Sequence, residues 1–275
     1  MTLRLAQLLD YLNVEPVAQD CFHGRSIPSI RTAAFGGQLM AQSLYAAATT
    51  VPEQRPVHSM HCHFLKGAQL ELPLQFEVER LRDGASFSTR QVTVLQRDTR
   101  IFMATLSFQA PEPGFSHQPT MPDLPARSSM LDDSADWGID DMSPLQVYRE
   151  DVCDINPRDP HQYQWMRVRE TLSANDPLIH QMLLVYMSDV RLITAAMLPH
   201  PLSFVDPQIQ GGSLDHSIWF YNAARADQWL LYDMHSPVAA SSRGLNHGYI
   251  YREDGTLAAA TTQEGLMRLR QPQPK

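Results

Sequence analysis

Cysteine is scarce in this chain. Only Cys21, Cys62 and Cys153 occur in 275 residues, far apart, odd in number and with no CxxC pair. That excludes a disulfide framework, gives no zinc pattern, and fits idle thiols in a reducing compartment. Long basic runs are also missing, and the net charge is −8. A nucleic-acid surface is therefore not expected, and an anionic ligand would need a local cationic patch. No apolar stretch approaches the ~20 residues that span a bilayer. The leucine-rich start, MTLRLAQLLDYLNVE, has helical spacing, but Asp10 interrupts it, unlike a signal-peptide core. The resulting expectation is a cytoplasmic protein that engages neither membrane nor nucleic acid.

Acidic residues are lacking around the histidines His58, His61 and His63: none occurs between positions 54 and 70. On a strand His61 and His63 share a face and His58 does not. No metal and no cofactor are expected.

Apolar material is plentiful, at 43% of residues, and enough for a large core. It is organised as a repeat. HSMHCHFL starts at His58 and HSIWFY at His216. Each is followed by β-rich runs around polar turns, Asp83-Gly84 in the first copy and Asp254-Gly255 in the second, ending at Gln109 and Gln263. Each is preceded by a helix candidate, residues 36–49 and residues 178–197, the second with Asp176 as its cap and Pro177 in its first turn. A long helix followed by an antiparallel meander, twice over, predicts an α+β fold in which each sheet wraps its helix. A Pro-, Asp- and Ser-rich stretch separates the copies. The expected units are 1–115, a linker at 116–158, and 159–275.

The consecutive residues Asp215, His216 and Ser217 have the side chains of a hydrolytic triad. On a strand, however, His216 faces away from the other two. The recurrence of His-Ser in both copies marks the pair as framework.

Differences between the copies are more informative. Residues 36–50 contain neither Asp nor Glu, whereas Asp189 falls on the same helical stripe as Met182, Tyr186, Val190, Ile193 and Met197. A carboxylate on a buried face is costly unless paired or functional. Ser213, after Gly211-Gly212, and Gln263 are the polar candidates to join it. Taken alone, a turn serine and a structural glutamine are equally open readings.

At this point the sequence resembles the acyl-CoA thioesterase II family, a double hotdog: two tandem units, each a central helix wrapped by an antiparallel sheet, with the sheets joined edge to edge. The likeness is carried by FGGQLMAQSLYAA, VHSMHCHFLKGA, RLRDGASFSTRQV, SFQAPEPGF, YMSDVRLI, LDHSIWF, SSRG and TTQEGLMR. It implies hydrolysis of medium- or long-chain fatty acyl-CoA by a water held by Asp189 (through YMSD), Ser213 (three residues before DHS) and Gln263 (through TTQEG). Many bacterial members carry Thr where this chain has Ser213. In the mechanism this implies, Asp189 is the general base and no acyl-enzyme forms. The backbone at Gly36-Gly37 and the N-terminus of the second helix are both candidates for the oxyanion, and Arg90, Arg243, Arg82 and Lys66 for the CoA phosphates. A homo-oligomer, dimer or tetramer, is expected. The alternatives are a non-catalytic acyl-CoA binding module and a hotdog hydratase or dehydratase.

Overall fold

The computed structural model describes residues 4–29, 33–124, 127–132, 144–149, 156–173, 176–201 and 206–270. Cys153 lies outside them. A short helix α1 (Leu5–Leu12) leads into strands β1 (Glu15–Ala18) and β2 (Cys21–Gly24), then helix α2 (Gly36–Ala48). Strands β3 (Val57–Phe64), β4 (Leu74–Asp83), β5 (Phe87–Gln96) and β6 (Thr99–Gln109) follow. After them come β7 (Leu131–Asp132), β8 (Leu145–Arg149), β9 (His161–Val168) and helix α3 (Pro177–Ser188). The chain ends with β10 (Ile209–Ser213), β11 (Asp215–Phe220), β12 (Leu230–Ala240), β13 (Arg243–Arg252) and β14 (Leu257–Leu269).

Thirteen of these strands form one antiparallel path, β1-β2-β4-β5-β6-β3-β11-β14-β13-β12-β9-β8-β7, with β10 paired to β14. β3 and β11 lie at its centre, and their pairing sets Cys62 opposite His216. The turns expected at Asp83-Gly84 and Asp254-Gly255 both join strands, and Gly255 has φ +83, a left-handed conformation suited to glycine.

Helix α2 is buried along most of its length, as expected for a helix inside a wrapped sheet. The expected helix over 178–197 is interrupted. Asp176 accepts from the Leu178 N–H and starts α3 at Pro177, but α3 ends at Ser188. A 3₁₀ segment, Leu192–Met197, continues after Arg191, which has φ 63. The segment after the break is held by β9. The buried amides of Gln162 and Gln164 donate to the carbonyls of Arg191 and Val190, at 3.0 and 3.1 Å. Both carbonyls are thereby tied to the sheet, and the Arg191 carbonyl also accepts the Thr194 N–H that opens the 3₁₀ turn, at 2.9 Å. Asp189 is thus the C-cap of α3 and not a mid-helix residue. Periodicity could not reveal this, because α3 is buried on every side from Met182 to Ser188.

Strand register also revises the internal correspondence. Ser59 pairs with Ser107 and Ser217 with Thr262. With Ser59 and Ser217 as counterparts, the position of Gln263 is filled in the first copy by Phe108, not Gln109.

Candidate active site

Three chain segments far apart in sequence converge on one carboxylate. Asp189 is buried at the end of α3. Its Oδ1 accepts from Gln263 Nε2 at 2.6 Å and from the Ser213 hydroxyl at 3.2 Å. Gln263 Nε2 also lies 3.0 Å from Ser213 Oγ. Its Oδ2 accepts from the Gly37 backbone N–H at 3.0 Å. The carboxylate therefore sits on the N-terminus of α2, where unpaired N–H groups and the helix dipole favour negative charge.

The glycines at the start of α2 make this approach possible. A Cβ on Gly36 would stand 2.6 Å from Asp189 Oδ2, and one on Gly37 would stand 2.4 Å from the Tyr186 carbonyl. Both are closer than packed atoms allow. The Gly37 N–H, an oxyanion candidate in the sequence, is engaged by Asp189.

His216 is the residue that sequence reasoning left out. In a regular strand it would face away from Ser213. Instead the strand breaks at Leu214, between β10 and β11, while Leu214 keeps backbone bonds to Glu264 and Phe64. The irregular step brings both side chains to the same place. His216 is fully buried, and its Nδ1 lies 3.1 Å from Gln263 Nε2 and 4.0 Å from Asp189 Oδ1. Burial pushes its pKa down to about 3. Its sequence neighbours are framework, as expected: Asp215 accepts from the Glu264 N–H, and Ser217 bonds His61. Only a bend at position 214 could have signalled His216, and single-sequence patterns do not show one.

The remaining candidates divide. Arg90 is fully buried, and its guanidinium donates to Thr50 Oγ1, to the carbonyls of Thr50, Arg82 and Thr89, and to Asp83. A guanidinium so engaged has no face to offer a phosphate, which corrects the expectation for Arg90. Arg243 is half exposed and paired with Glu264 at 2.8 Å. Lys66 is exposed and lines the cleft described next. Cys62, opposite His216, is a free buried thiol whose pKa is raised by burial and then by Asp189. His58 and His61 bond Ser107 and Ser217 instead of converging.

Asp189 and Ser213 open onto a cleft of about 530 Å³ whose walls include Phe35, Leu39, Phe64 and Ile193. A larger cavity, about 760 Å³, lies at the N-terminus of α3 between Val57, His180 and Phe220. None of the three converging side chains lines it, whereas Asp189 and Ser213 line the smaller cleft.

A buried carboxylate, an alcohol and an amide at one apolar cleft suit activation of a water. The family description Acyl-CoA thioesterase matches residues 157–266, and Acyl-CoA thioesterase N-terminal domain matches residues 24–109. The human protein acyl-coenzyme A thioesterase 8 is 36% identical, over 98% of this chain and 91% of its own.

The chain belongs to the acyl-CoA thioesterase family.

Among solved structures, an acyl-CoA thioesterase II from Mycobacterium marinum superposes with a TM-score of 0.83 at 36% identity, covering 97% of this chain and 99% of its own. A hot dog fold protein from Alicyclobacillus acidocaldarius, only 20% identical, reaches 0.79 over 96% of this chain and 98% of its own. This thioesterase-family chain therefore has a hotdog fold. No helix among the described residues is long and apolar enough to cross a membrane.

Proposed function

We propose that this protein hydrolyses medium- or long-chain fatty acyl-CoA to the free fatty acid and CoA, by direct attack of a water held by Asp189, Ser213 and Gln263. The observation that carries the reading is the convergence of those three side chains within 2.6–3.2 Å, with Asp189 and Ser213 lining a cleft and Gln263 buried behind them. Asp189 takes a proton from the water, and the water oxygen bonds to the thioester carbonyl carbon. When the tetrahedral intermediate collapses, the C–S bond breaks and the thiolate leaves, taking up a proton. Ser213 and Gln263 fix the line of attack, which lowers the entropic cost. The walls formed by Phe35, Leu39, Phe64 and Ile193 accept the start of the acyl chain.

Within this proposal the chain is a double hotdog of two tandem units, 1–115 and 159–275, joined by 116–158. It works in the cytoplasm, as a homo-oligomer and without a cofactor. Support for two units comes from the His-Ser repeat and from the central pairing of β3 with β11.

The experiment is thiol release from acyl-CoAs of graded chain length by purified protein, with Asp189→Asn alongside. A general base contributes about 10²- to 10⁴-fold, so the variant should fall by that order in kcat while staying folded. Full activity in Asp189→Asn removes the carboxylate from the chemistry. An acyl group trapped on Ser213 in a single turnover ends the direct-water route.

A further inference from the structure

The hydrogen bonds behind Gln263 determine where each proton lies. The Ser188 hydroxyl donates to the Val185 carbonyl at 2.8 Å. Its proton is thus spent, and at 3.1 Å its oxygen can only accept from His216 Nε2. His216 therefore carries its proton on Nε2, and Nδ1 is a lone pair. That lone pair receives a Gln263 N–H at 3.1 Å. The reversed amide would set Gln263 Oε1 against two acceptors, His216 Nδ1 and Asp189 Oδ1. A doubly protonated imidazole would set Nδ1–H against the amide N–H. Both alternatives set like against like among buried groups, which is repulsive.

We propose that His216 is a positioning residue for the reaction: as a neutral imidazole fixed by Ser188, it locks the Gln263 amide with nitrogen toward Asp189, and it transfers no proton during turnover. The proposal rests on the hydrolase reading of Asp189, Ser213 and Gln263. Its structural consequence is already visible in Gln263 Oε1, a buried acceptor that has no partner among the described residues. Locked in this orientation, the amide presents Oε1 as a fixed acceptor for a proton of the attacking water. The titratable groups packed around the imidazole are Asp189, from the end of α3, and Cys62, on β3. Burial keeps the Cys62 thiol protonated, so it offers no competing charge.

The test compares His216→Phe, which keeps a ring but neither nitrogen, with His216→Asn, whose side-chain oxygen can replace the Nδ1 acceptor. Phe should lower kcat roughly tenfold or more with KM changed less than about threefold, the signature of a lost transition-state constraint. Asn should recover much of that loss. The pH profile of kcat should keep its limbs in both, and long-range ¹H–¹⁵N spectra of the wild type should show the neutral Nε2–H tautomer. Wild-type turnover in His216→Phe, or a limb that shifts or vanishes with it, overturns the proposal. Should the Phe variant not fold, Ser188→Ala keeps the imidazole and removes its anchor. It should lower kcat in the same sense, and wild-type turnover there also overturns the proposal. The two levels of reading separate cleanly. Full activity in Asp189→Asn sinks the hydrolase site itself, whereas an inactive Asp189→Asn beside a fully active His216→Phe sinks only the role given to His216.

Discussion

Gly36 and Asp189 are 153 positions apart, yet a single methyl group added to Gly36 would stand 2.6 Å from the Asp189 Oδ2 oxygen. The start of α2 and the end of α3 meet at van der Waals limits, and the carboxylate fills the gap that the glycine leaves.

Gly36→Ala therefore tests the approach directly. The Cβ would also stand 2.8 Å from the Phe64 ring, so neither neighbour can give way without moving the other. Displacing the carboxylate by about an ångström should lower kcat on the order of 10²-fold. Because the strain is shared between Asp189 and Phe64 at the end of β3, the melting temperature should fall as well, but turnover should fall by more than the folded fraction accounts for. Steady-state kinetics and a thermal melt on one sample decide this.

His216 gives stability a defined pH dependence. Its folded pKa is lowered to about 3 by burial, against an ordinary value of 6.5. Above 6.5 neither folded nor unfolded chain protonates it, and its burial as a neutral ring is tolerated. Below 6.5 the unfolded chain gains a proton that the folded chain refuses. Stability then falls with pH, by up to roughly 1.4 kcal/mol per unit for this one group, until about pH 3. Denaturant titrations across that window should show a shallower slope in His216→Phe than in the wild type. Equal slopes would show that the imidazole titrates in the folded state.

Ser213 donates to Asp189 at 3.2 Å, the longest of the three side-chain contacts. Ser213→Ala should lower kcat by about tenfold, the value of one hydrogen bond to a charged group. Ser213→Thr keeps the hydroxyl, and Ser213 is only half-buried beside the open cleft, so the extra methyl has room. Thr should therefore work close to the wild-type rate. A drop in Thr as large as in Ala would show that the methyl, not the hydroxyl, matters there.

Arg90 should behave as a structural residue. Arg90→Met leaves the carbonyls of Thr50, Arg82 and Thr89 without their donor. These acceptors are only part-buried and water can reach some of them, so the loss falls short of the about 1–3 kcal/mol of a fully buried acceptor, and a measurable fall in denaturation midpoint is expected. KM for acyl-CoA should not move in the folded fraction. A raised KM with unchanged stability would return Arg90 to the phosphate-binding candidates.

Much of this protein was legible in the chain alone. The helix expected over 36–49 is α2, and both polar turns join strands, because these features depend on neighbours a few residues apart. The asymmetry of charge between the copies singled out Asp189 for the same local reason: a carboxylate among apolar residues is conspicuous in any register. What the sequence could not decide is where backbones bend under tertiary demand. Gln162 and Gln164 on β9 hold the carbonyls just beyond the end of α3, where Asp189 meets a second helix. A break at Leu214 turns His216 inward beside Gln263. Burial decides the fate of Arg90, which reads as a surface cation and is held by carbonyls inside the fold. Periodicity and composition report local preference. The meeting of Gly37, Asp189, Ser213, His216 and Gln263 is a long-range agreement of hydrogen bonds, and only the folded chain brings those donors and acceptors within reach of one another.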